Sequence, residues 1–128
     1  MGNRACRSKI AGRNFRMAGL EMEEFERHLE AVCSKLSFVK SVAIFAWTES
    51  SNLWRVTLSD DSFIDVYYSE ITNKKSFAHI KDQKRVLGAD NKKNWHWHPY
   101  EEPQRHDFTD GEISFDEFLK YVEEKISK

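Results

Sequence analysis

Cysteine, proline and glycine are all scarce in this 128-residue chain, at two, two and five residues. Cys6 and Cys33 are too few for a disulfide scaffold and lack metal-binding spacing, so a reducing, cytoplasmic setting is the expectation. No apolar run approaches the roughly 18 residues that a membrane-spanning helix needs, and the start lacks the apolar centre of a secretory signal. Glycine-rich phosphate loops and dinucleotide fingerprints are missing, and no nucleophile elbow marks a hydrolase triad. What the chain does have is apolar bulk. Hydrophobic residues make up 40%, with nine Phe, four Trp and four Tyr, enough for one packed domain of common size.

Charge is unevenly spread. Residues 1–19 carry Arg4, Arg7, Lys9, Arg13 and Arg16 with no acidic residue, so the rest is net acidic although the whole chain is only −1. Three readings fit this arm: a disordered leader with Met17 or Met22 as alternative starts, a nucleic-acid-contacting tail, or a targeting peptide. The domain proper is expected over residues 20–128.

Within it the periodicity predicts an α+β fold: an antiparallel meander sheet of four to six strands, with one helix before it and one after. Met22, Phe25, Leu29, Val32, Cys33 and Leu36 form a helical stripe, which places the first helix at about 20–37. Strands follow at about 41–48, 53–58, 62–69, 77–81 and 85–89, separated by short polar turns that favour hairpins over crossovers. In the first of these, alternation puts Ala43, Phe45 and Trp47 on one face. Tyr100 to Gly111 reads as a loop. Phe115, Phe118, Leu119, Val122 and Ile126 form the last helix, with Ser114 and Glu117 spaced as a capping box.

The sharpest local signal is Trp95-His96-Trp97-His98-Pro99. In an extended segment both indoles point one way, into the core, and both imidazoles point the other, side by side. Pro99 donates no ladder hydrogen bond, which places the pair near an open rim facing water. Three readings follow. His96 and His98 divide general acid and base roles, with Lys93 or Arg105 contacting a substrate phosphate and Lys81, Arg85 and Lys92 as further cations. Alternatively, they ligate a divalent transition metal such as zinc with His106, or with Asp107, Glu101, Glu102 or Asp90. The bland reading is a pair of rim histidines bonded to backbone or water. The catalytic reading requires the imidazoles, a cation and a concave surface to converge within reach of solvent. His79 lies on another strand, with no face assigned relative to this pair.

Asp110 to Phe118 imitates half of a calcium-binding loop, with Gly111 at position six and Glu117 at position twelve. The same register puts His106 at position one and Phe108 at position three, where oxygen ligands are required, so a turn leading into a capped helix is preferred and calcium is not expected. An aromatic-rich sheet with Arg55 offers single-stranded bases a stacking surface, although most of these aromatics fall where a core needs them.

The second half, roughly Leu58 to Ile126, resembles a family of small prokaryotic proteins that includes the TumE-type toxins of toxin–antitoxin systems. The resembling pieces are residues 59–66 (SDDSFIDV), Asp90-Asn91, His96 and His98 with Pro99 and His106, and the helix from Phe115 to Ile126. The resemblance implies a cytoplasmic, toxin-like protein acting on RNA or translation, with an antitoxin partner. The contrasting reading is a non-catalytic interaction or self-association domain, with or without metal, which requires an exposed apolar face or a free sheet edge.

Overall fold

The computed structural model describes residues 20–126; the basic arm expected to be a leader lies outside the described residues. Helix α1 (Leu20–Cys33) precedes strands β1 (Val39–Trp47), β2 (Ser51–Leu58), β3 (Phe63–Ser69), β4 (Lys75–Lys81), β5 (Lys84–Asp90), β6 (His96–His98) and β7 (Asp107–Phe108), and helix α2 (Phe115–Ile126) is the last element among the described residues. All neighbouring strands pair antiparallel in sequence order. The α+β meander is as expected, with seven strands rather than four to six. The added strand is the two-residue β7, formed where a loop was expected.

Both helices cover one face of the sheet. From α1, Phe25 packs on Trp54 and Tyr68; from α2, Phe118 packs on Phe77 and Trp97. Beneath them lie Val42, Ile44, Trp54, Val56, Leu58, Ile64, Val66, Phe77, Leu87 and Ala89, all buried. Their alternation with half-buried neighbours is strict in β2 and runs through β3 as far as Tyr68, as a sheet covered on one side requires. One apolar core therefore unites both helices and the central strands. No helix among the described residues is long and apolar enough to cross a membrane.

Two local departures have physical causes. α1 ends at Cys33 rather than near Ser37, because the Ser34 hydroxyl donates to the Ala31 carbonyl. The Lys35 amide then turns to Val32, tightening the chain out of the helix. In β1, a register shift between Ile44 and Ala46 gives the strand an extra residue. Phe45 stays on the outer face, where the Arg55 guanidinium lies over its ring, while Trp47 pairs opposite inward-facing Asn52. The expected common face for Phe45 and Trp47 is thus corrected: the bulge separates them. α2 keeps its expected bounds, since the Glu117 amide donates to the Ser114 hydroxyl at 3.1 Å and fixes the first turn.

Candidate functional site

Strands β5 and β6 build the site. Leu87 and Ala89 face the core, so Gly88 and Asp90 face outward, and register places them opposite His98 and His96. Trp97 faces inward, stacked on Phe118, and Trp95 stacks on Phe77. The two-residue rhythm expected for this segment therefore holds: indoles on the helix side, imidazoles together on the other.

The expected exposure does not. His96 and His98 are only 4% and 5% accessible. β6 is not at the rim, because β7 pairs along its outer side, His96 opposite Phe108. The chain entering β7 lays two rings over the pair. Phe108 lies 4.8 Å from the His96 ring, and His106 stacks on it at 4.9 Å with an 11° interplanar angle. Arg85 donates to the Pro103 carbonyl and so ties this covering loop to β5. A free, solvated acid–base pair of His96 and His98 is corrected on this ground.

Backbone groups of the β5–β6 loop aim the polar atoms. The Lys92 amide donates to Asp90 Oδ1 at 3.0 Å, leaving Oδ2 to face both imidazoles, 3.5 Å from His96 Nε2 and 3.4 Å from His98 Nε2. His96 Nδ1 lies 2.8 Å from the Asn94 carbonyl, which can only accept, so this nitrogen carries the proton and Nε2 of the neutral ring carries a lone pair. His98 Nε2 stands 3.1 Å from that lone pair and donates to it. His98 Nδ1 is then a bare acceptor, buried and without a partner among the described residues. Burial, followed by the positive charge of Arg85 and the neighbouring imidazoles, pushes the pKa of His98 down, against an opposing pull from Asp90.

Asp90, His96 and His98 have ligand-type atoms that all lie within 4.8 Å of one another. His106, expected as the third ligand, is not in this set; it stacks as a cover, and Asp90 stands where a third ligand would. A cleft of about 300 Å³ opens beside them, lined by Asp90, Lys92, Lys93, His96, His98, His106 and Phe108. Lys92 and Lys93 are exposed, and neither ammonium has an acidic partner among the described residues. Lys93 takes the left-handed backbone (φ 69°) that turns the hairpin. Of the two expected phosphate contacts, Lys93 is at the cleft and Arg105 is not. Arg105 is clasped by Asp107 at 2.8 and 2.9 Å, by Glu102 at 3.2 Å and by Glu101 at 3.6 Å. Those carboxylates lie within four residues of Arg105, so their competition was readable beforehand.

A second polar group was missed. His79 faces the helix side with Phe77, opposite to His96 and His98, and is buried. Ser62 has one hydroxyl proton, and the short contact to the acceptor-only Asp60 takes it at 2.5 Å. The Ser62 oxygen therefore accepts from His79 Nε2–H at 2.9 Å, and His79 Nδ1 accepts from the Tyr100 hydroxyl at 2.8 Å. Burial drives the His79 pKa down to about 4, with Asp60 opposing and Lys81 adding to the shift. Burial also raises Tyr100, which keeps its phenol a donor. Ser62 is sealed with its histidine, so this relay is a structural strut rather than a nucleophile dyad. Its one advance signal was an imidazole at a core-facing strand position.

No family model, curated protein or solved structure matches this chain.

Proposed function

We propose that this chain is a small, toxin-like protein that acts on RNA phosphodiesters at the cleft above His96 and His98. The observation that carries the reading is convergence: three imidazoles, one carboxylate and two acid-free lysines meet at one concavity on the helix-free face of the sheet. Lys92 and Lys93 supply positive charge where a substrate phosphate would sit and would stabilise charge developing on it. His106 is the exposed imidazole of the three and suits proton transfer to or from a bound substrate, while His96 and His98 form the buried floor. A reducing, cytoplasmic setting suits the buried free thiol of Cys33.

The test is incubation of an unstructured RNA with the parent, Lys93→Ala, His106→Ala, His96→Ala and His98→Ala. The reading expects cleavage by the parent, a loss of about 100-fold or more in His106→Ala, the lower range of what one acid–base group contributes, and at least about tenfold loss in the other three variants. RNA left intact by the parent, or cut equally by all five proteins, would overturn it.

One feature favours the contrasting reading, an interaction or self-association domain. The sheet face opposite the helices is uncovered around Phe45, which is 59% exposed, and β1 is a nine-residue edge strand. Arg55 lies between Phe45 and Phe63 at 3.8 and 3.9 Å and is held by Asp65 through two hydrogen bonds, a fixed cation among aromatics suited to a protein partner such as an antitoxin. Under this reading the parent leaves RNA intact, and Phe45→Ser abolishes co-purification with that partner.

A further inference from the structure

We infer that Asp90, His96 and His98 bind one divalent transition metal ion, with four-coordinate zinc the best fit and the fourth position turned to the lysine-lined cleft. This inference rests on the same site as the proposed RNA chemistry and deepens it, because it gives the buried imidazoles a role that a free acid–base pair cannot fill.

The argument is geometric. Metal–ligand distances of about 2.0–2.1 Å around a tetrahedral ion put neighbouring ligand atoms about 3.3–3.4 Å apart. The three edges here are 3.1 Å between the two Nε2 atoms, 3.4 Å from His98 Nε2 to Asp90 Oδ2 and 3.5 Å from His96 Nε2 to the same oxygen. An octahedral facial arrangement at about 2.1 Å would set all three edges near 3.0 Å, so two of the three edges favour the four-coordinate ion. Two imidazoles and one carboxylate are borderline donors of the kind zinc takes, three from protein with one position left for water or substrate.

Orientation supports the assignment independently. Proton accounting gave His96 a bare Nε2 because its Nδ1–H is spent on the Asn94 carbonyl; His98, which without metal donates from Nε2, would bind the ion by shifting its proton to the unpartnered Nδ1. The Lys92 amide fixes Asp90 through the carboxylate oxygen that faces away from the imidazoles. Outer hydrogen bonds of this type set the tautomer and direction of metal ligands. Burial then matters in a second way. A carboxylate and two imidazoles held 3.4–3.5 Å apart in a nearly dry site satisfy one another poorly, whereas a shared cation interacts with all three. Zinc would polarise a bound water or a phosphoryl oxygen at the cleft, and Lys92, Lys93 and His106 stand beside that position.

The test reads metal binding without RNA. Parent protein stripped of metal is titrated with zinc chloride by calorimetry and with cobalt chloride by visible absorption. Expected are one equivalent bound and the strong visible bands of four-coordinate cobalt. Affinity should fall at least about tenfold in Asp90→Asn and about 100-fold or more in His96→Ala, against an unchanged value in the surface control Lys84→Ala. Far-ultraviolet circular dichroism reports folding, and near-isosteric Asp90→Asn keeps the test decisive should His96→Ala unfold. No stoichiometric binding by the parent, binding undiminished in Asp90→Asn, or the weak spectrum of six-coordinate cobalt would overturn the assignment. Zinc bound as described with RNA left intact would retain the metal site and remove the RNA reading. RNA cut at full rate by chelated protein would retain the RNA reading and remove the metal from it.

Discussion

Acid should destabilise this protein through His79 before it protonates the carboxylates. The ring is buried between Ser62 and Tyr100, and its pKa lies at about 4 against an ordinary 6.5. The folded state thus keeps His79 neutral at pH values where the unfolded chain has already bound a proton. The unfolded state binds more protons across that window, so stability falls as pH falls from about 6.5 and levels off below about 4. A difference of 6.5 against about 4, at about 1.36 kcal/mol per pH unit, corresponds to roughly 3 kcal/mol. That is a large share of a typical domain's stability of about 5–15 kcal/mol. The assay is urea unfolding followed by tryptophan fluorescence from pH 7.5 to 4, comparing the parent with His79→Gln. His98, also pushed down by burial, adds to the trend in both proteins, so the difference between the two curves isolates His79. The difference should change by about 3 kcal/mol across the window. Parallel curves would refute the reasoning.

Three further outcomes follow from packing. Phe118 is fully buried and touches Phe77 and Trp97, so Phe118→Ala should cost about 3–5 kcal/mol by the same urea assay. The Trp54 indole donates to buried Glu26 at 3.1 Å; Glu26→Ala strands that donor and should cost about 1–3 kcal/mol, with Glu26→Gln recovering much of it. Burial, with Asp116 and Glu30 adding to it, pushes the Cys33 thiol up to about 12. In a Cys6→Ser background, a thiol reagent at pH 8 should therefore label Cys33 only after urea is added.

Local chemistry made part of this molecule legible in advance. Ser114 and Glu117 placed the last helix because a capping residue acts within one turn. The alternation of Trp54, Val56 and Leu58 placed β2 because one covered face imposes a period of two. The same rhythm put His96 and His98 on a shared face. What could not be read was non-local. The pair's burial comes from Phe108 and His106, brought over by a two-residue strand whose pairing has no sequence pattern. The bulge at Phe45 shifts Trp47 by one position, and parity alone cannot reveal an inserted residue. Asp90 stood among five candidate partners, and only the β5–β6 register, which sets it opposite His96, singled it out.

X-ray absorption at the zinc edge of stoichiometrically loaded parent protein would probe the cluster most directly. The account predicts a single shell of nitrogen and oxygen neighbours at about 2.0–2.1 Å, four in number, with the outer-shell scattering of two imidazoles that drops by half in His96→Gln. Six oxygen neighbours without imidazole scattering, or a spectrum unchanged by His96→Gln, would contradict it.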